Sequence, residues 1–71
     1  MQKIEISTEY IKLDSFLKLC GVSDTGGEAK LLVKSGNVLV DGQPCTMRGK
    51  KLYPGTTVTA VGESFEVVKK A

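Results

Sequence analysis

The stretch SDTGGEAKLLVKSGNVLVDGQP, Ser23 to Pro44, decides the fold, because it holds a short helix and then, almost at once, a hairpin. Thr25-Gly26-Gly27-Glu28 has the spacing of a capping box. The Thr25 hydroxyl can accept from the Glu28 N–H while the Glu28 carboxylate reaches back to a free N–H. Ala29, Leu32 and Val33 recur with the period of one helix face, and Gly36 stands where a helix of this length stops. Lys34 lies in the last turn, at the negative end of the helix dipole. The period then becomes two in VLVDGQPC, and Asp41-Gly42 at its centre is the pair that a type I′ turn favours.

Working outward, Leu13, Phe16, Leu17 and Cys20 fall at i, i+3, i+4 and i+7, a second helical face ended by Gly21 and followed by the apolar Val22. Both helices span only two to three turns and cannot persist in isolation, so they must pack on each other and on a sheet. KIEIS, Lys3 to Ser7, alternates as a strand does, and Pro54-Gly55 is a type II turn pair. TVTAV and SFEVV form a second hairpin, with Gly62-Glu63 suited to a type II′ turn. The expected class is α+β: two short antiparallel helices packed on a small, mainly antiparallel β-sheet, in a single domain spanning 1–71.

Two adjacent glycines at a helix start raise a question, since glycine in a helix interior costs up to ~1 kcal/mol relative to alanine. At ~100° per residue, Lys30 and Lys34 fall on the outward face that Gly27 also occupies. An unshielded helix N-terminus beside cations suits an anion, phosphate above all. The alternative is that the glycines only let another segment of the chain pack closely, with the lysines as solvated surface. A lysine at position 12, where the first helix starts, is mildly unfavourable to the dipole. Lys18 stands four residues after Asp14, a spacing that a surface ion pair explains. Arg48, Lys50 and Lys51 put three cations within four residues of a loop. Tyr53 could stack on a base or pack against Pro54.

The charge balance agrees. Net charge is +2, yet residues 12–51 carry seven cations against four carboxylates, a local +3, while the first eleven residues carry −1 and the last twenty are neutral. The excess belongs to the middle of the chain and hints at a polyanionic partner. The 71 residues, with 41% hydrophobic and 25% charged, suit one small globular domain with a limited core. Cys20 and Cys45 without any histidine cannot supply a four-ligand zinc site, and they read as packed thiols in a reducing cytoplasm. No apolar run approaches the ~18 residues of a membrane span. No cofactor, metal or membrane partner is expected.

The ordered pieces Lys12-Leu13-Asp14, Phe16-Leu17, Glu28-Ala29-Lys30, Gly36, Val38-x-Val40-Asp41-Gly42 and Pro54-Gly55 resemble the RNA-binding domain family named after small-subunit ribosomal protein S-four, the alpha-L motif. The likeness covers roughly residues 10–60, and the Gly-Gly helix start looks like a stand-alone bacterial branch. Many members carry an arginine where this chain has Gly26, and Pro-Gly-Asp where it has Thr56. The resemblance implies two helices on a small sheet and a basic face gripping structured RNA. Its contacts would be Lys12, Gly26, Gly27, Lys30, Lys34, Arg48, Lys50 and Lys51, with backbone N–H groups standing in for the missing arginine. It further implies a cytoplasmic monomer acting on ribosomal RNA or a ribosomal particle, in ribosome assembly or translation.

An enzyme is not expected: there is no histidine, no nucleotide-binding glycine pattern, and the carboxylates fall at caps, turns and strand edges. A ubiquitin-like sulfur carrier needs a free terminal Gly-Gly, where this sequence reads Val67-Val68-Lys69-Lys70-Ala71. A small non-enzymatic protein-binding adaptor stays open as the alternative.

Overall fold

In the computed structural model, which describes residues 1–71, nine short elements follow one another. They are β1 (Gln2–Ile6), β2 (Ile11–Lys12), α1 (Leu13–Leu19), α2 (Gly26–Lys34), β3 (Leu39–Val40), β4 (Gln43–Pro44), β5 (Lys51–Leu52), β6 (Thr57–Ala60) and β7 (Glu63–Lys69). Five strands form one sheet in the order β1-β7-β6-β3-β4, and β2 with β5 forms a separate two-stranded sheet. Every pairing is antiparallel except that of β1 with β7. The fold is therefore the α+β arrangement expected from the sequence, with one parallel pair that joins the two ends of the chain.

Period two decides which side of the sheet is buried. Val58 and Ala60 of β6 and Phe65 and Val67 of β7 point inward and are almost wholly buried, while their neighbours are not. Leu13, Phe16 and Leu17 of α1 and Ala29 and Val33 of α2 close over that face, with Leu52 of β5 and Val38 from the segment before β3. The rings of Phe16 and Phe65 meet edge to face, 6.3 Å apart at 79°, and bind helix to sheet. Cys20 and Cys45 are free thiols packed half-buried against this core, and burial pushes the Cys20 thiol upward.

The caps form largely as the sequence dictates. The Thr25 hydroxyl accepts from the Glu28 N–H at 3.1 Å, but the Glu28 carboxylate reaches one residue further back than a capping box requires, to the Asp24 N–H at 3.3 Å. Asp41 and Gly42 adopt φ of 51° and 84°, the left-handed pair of a type I′ turn. The Asp41 carboxylate also accepts from the Thr57 N–H at 2.9 Å, pinning the turn to β6.

The second hairpin departs from expectation. Ala60 pairs with Glu63, so its turn residues are Val61 and Gly62, with φ of 50° and 76°, and not Gly62-Glu63. The turn is type I′ because the strand register places Gly62 second in the loop. Val61 is 70% exposed, so no packing offsets the left-handed conformation, which costs a β-branched residue ~1–2 kcal/mol. Val61→Asn is expected to raise stability by about 1 kcal/mol, a gain of roughly 4–8 °C in Tm, readable in a circular-dichroism melt. An unchanged melt would mean that the turn carries no strain.

Candidate nucleic-acid interface

Each candidate residue stands on one of two local platforms. The first is built from backbone. Ile11 pairs with Leu52 and Lys12 with Lys51, after which the Leu13 N–H donates to the Lys50 carbonyl at 2.9 Å and the Asp14 N–H to the Arg48 carbonyl at 3.0 Å. Lys12 is the N-cap of α1 and offers no side-chain bond to it. The open first turn of α1 is capped instead by carbonyls of the basic loop. Residues far apart in sequence, Lys12 and Arg48, Lys50 and Lys51, are thereby held side by side. All four are exposed.

Directly opposed residues of an antiparallel pair project from the same face, so Lys12 and Lys51 stand together, a like-charge pairing that costs stability. Ile11 and Leu52 alternate to the other face, where Leu52 is fully buried. Two exposed cations on one face can attract an anion.

The second platform is α2. Gly26 and Gly27 are its first two residues and both are exposed. A methyl group added at Gly26 would meet nothing within 4 Å, and at Gly27 only the Thr25 Oγ1 at 3.8 Å, ordinary contact. Close packing within the chain is thus not what these glycines serve. Lys34 is exposed and Lys30 half-buried, while Ala29 and Val33 face the core. Thr25 occupies one N–H of the helix start, which leaves the others beside the glycine pair without a side-chain cap. The two platforms are connected through α1, which follows directly on β2 and packs against α2.

Asp14 accepts from its neighbour Ser15 N–H at 2.7 Å, so its carboxylate is engaged locally at the helix start. Together with Glu28 and Asp41, it belongs to the turns and caps of the fold.

Sequence reasoning did not find Tyr10. Its ring lies 5.8 Å from that of Tyr53, tilted by 47°, and the Lys51 ammonium sits 4.9 Å from its centroid. A signal was present: Tyr10-Ile11-Lys12 and Lys51-Leu52-Tyr53 are mirror images in chain direction, as two antiparallel strands sharing one inner and one outer face should be. Three residues are too few for that symmetry to stand out before the pairing is known.

No helix is long and apolar enough to cross a membrane, and no cluster of three or more His, Cys, Asp or Glu side chains could hold a metal ion. A family model described as the S4 domain matches residues 4–68. A probable ribosome maturation protein of Bacillus subtilis, RlbA, is 47% identical over 66 residues, covering 92% of this chain and 93% of that protein. A putative RNA-binding protein of Escherichia coli, YbcJ, is 39% identical over 59 residues, 83% of this chain and 84% of its own. The solution structure of Escherichia coli YbcJ, described as an alfaL motif involved in RNA-binding, superposes with a TM-score of 0.73 at 35% identity, covering 96% of this chain and 87% of that one.

Proposed function

The chain belongs to the S4 domain family, and on that premise we propose that it binds structured RNA, ribosomal RNA or a ribosomal particle, as a cytoplasmic monomer serving ribosome assembly or translation. The observation that carries this reading is the facing pair Lys12 and Lys51, flanked by Arg48 and Lys50 whose carbonyls cap α1. Relatives named for RNA binding and ribosome maturation support it. The action is binding, not catalysis.

A-form RNA hides its bases in a deep, narrow major groove, so a small cationic domain meets it through phosphates, 2′-hydroxyls and shape. Lys12, Arg48, Lys50 and Lys51 address one stretch of backbone, and Lys30 and Lys34 with the α2 start address another. With roughly four or five phosphates neutralised, the plot of log affinity against log salt should have a slope of about −3 to −4.5. A titration of a ribosomal RNA fragment between low and moderate salt measures it, and a slope near zero would rule out phosphate contacts.

The glycine pair gives a second test. Because Gly27 has room for a methyl group and a helical backbone, Gly27→Ala should stabilise the fold, by about 0.4–1 kcal/mol in a thermal melt. Gly27→Leu should fold as well yet bind RNA about tenfold more weakly, the loss of one N–H bond to a charged phosphate at about 1.5 kcal/mol. Unaltered affinity would mean that the RNA does not approach the α2 start closely.

A further inference from the structure

The chain has four aromatic residues, and the fold separates them in pairs: Phe16 and Phe65 in the core, Tyr10 and Tyr53 outside it. The tyrosines extend the β2–β5 register by one step beyond Ile11 and Leu52, on the same outer face as Lys12 and Lys51. Tyr53 is 47% exposed, so part of its ring is open to a partner. Its position is firm, because it precedes Pro54 and its carbonyl accepts from the Thr56 N–H at 3.0 Å across the turn. Tyr10 is steadied by a turn in which the Thr8 hydroxyl donates to the Tyr10 carbonyl at 2.7 Å. The Lys51 ammonium over the Tyr10 ring joins the aromatic half of this face to its cationic half.

We propose that Tyr53, braced by the tilted Tyr10 ring, is a stacking platform for one unpaired base of the RNA whose phosphates Lys12 and Lys51 hold. The proposal rests on the RNA-binding reading and sharpens it. Cations alone grip any backbone, whereas an exposed ring beside them adds a sequence-tolerant preference for a nucleotide that has left the helical stack. The favoured target is then a paired stem next to a bulge, a loop or an overhanging end, and not a continuous duplex. A half-exposed ring beside a cation suits a flat nucleobase better than an aliphatic group.

The full chain can be titrated with two synthetic RNA hairpins, one blunt and one carrying a single unpaired purine at its 3′ end. The overhanging hairpin should bind about tenfold more tightly, the size of one base–aromatic stack. It should also quench tyrosine emission, which reports this face alone because the chain has two tyrosines and no tryptophan. Tyr53→Leu, checked for folding by circular dichroism, should bring the ratio of the two affinities close to one, and Tyr53→Phe should restore it. Equal binding of both hairpins by the wild-type chain, or a full preference in Tyr53→Leu, would overturn the platform while leaving the phosphate grip standing. Binding of neither hairpin by the wild-type chain would overturn both.

Discussion

Reversing the facing cations, Lys12→Glu with Lys51→Glu, is expected to lower affinity for a structured RNA about a hundredfold at 0.1 M salt and to leave the melting temperature nearly unchanged. The magnitude follows from counterion release. A slope of 0.7–0.9 per phosphate makes each contact worth roughly five- to eightfold at 0.1 M salt, so two lost contacts give about fiftyfold. Two carboxylates turned toward phosphate add repulsion to that loss. The fold should change little, because both side chains are exposed, one like-charge pairing replaces another, and the lost contact of Lys51 with the Tyr10 ring is offset by a carboxylate at the positive end of the α1 dipole. The salt slope should also become shallower by about two units, a signature that a misfolded protein would not give selectively. Affinity close to wild type would remove Lys12 and Lys51 from the interface, and a collapse in melting temperature would make them structural residues.

Phe16→Ala should have the largest effect on stability. Phe16 is fully buried, and its ring meets Phe65 edge to face across the junction of α1 and β7. Removing it costs roughly 3–5 kcal/mol through lost burial and the cavity left behind. A core of this size supplies about 3–5 kcal/mol in all, so the variant should be largely unfolded at 25 °C. Urea titration followed by circular dichroism would show it, with Phe16→Leu as a milder change that keeps the fold. A native-like midpoint for Phe16→Ala would mean that the helices are held by something other than this junction. RNA binding should be lost with the fold, because α1 carries the N–H groups that hold Arg48 and Lys50 next to Lys12.

The two variants act on different links of one chain of causes. The aromatic junction fixes α1, α1 fixes the loop through two backbone bonds, and the loop brings its cations beside Lys12. Placing the cations on backbone-fixed segments spares part of the ordering entropy that flexible side chains on a free loop would lose on binding. The glycine pair fits the same economy, since space left empty in the free protein is available to the partner.

Much of this was legible in the sequence because the physics involved is short-ranged. The Thr25 cap, the helix end before Gly36, the Asp41-Gly42 turn and the Pro54-Gly55 turn depend on residues at most a few positions apart, and the apolar periods of α1 and α2 mark the faces that became buried. The class of the fold and the sites of positive charge follow from those signals. The tertiary structure alone decided the parallel pairing of β1 with β7, the Val61-Gly62 turn, and the meeting of Lys12 with Lys51 and Tyr10 with Tyr53. The two-residue strands β2 and β5 carry no readable period, and their register is chosen across some forty positions, through backbone bonds and the burial of Leu52. Local chemistry could say which side chains were charged; only long-range pairing could say which of them share a face.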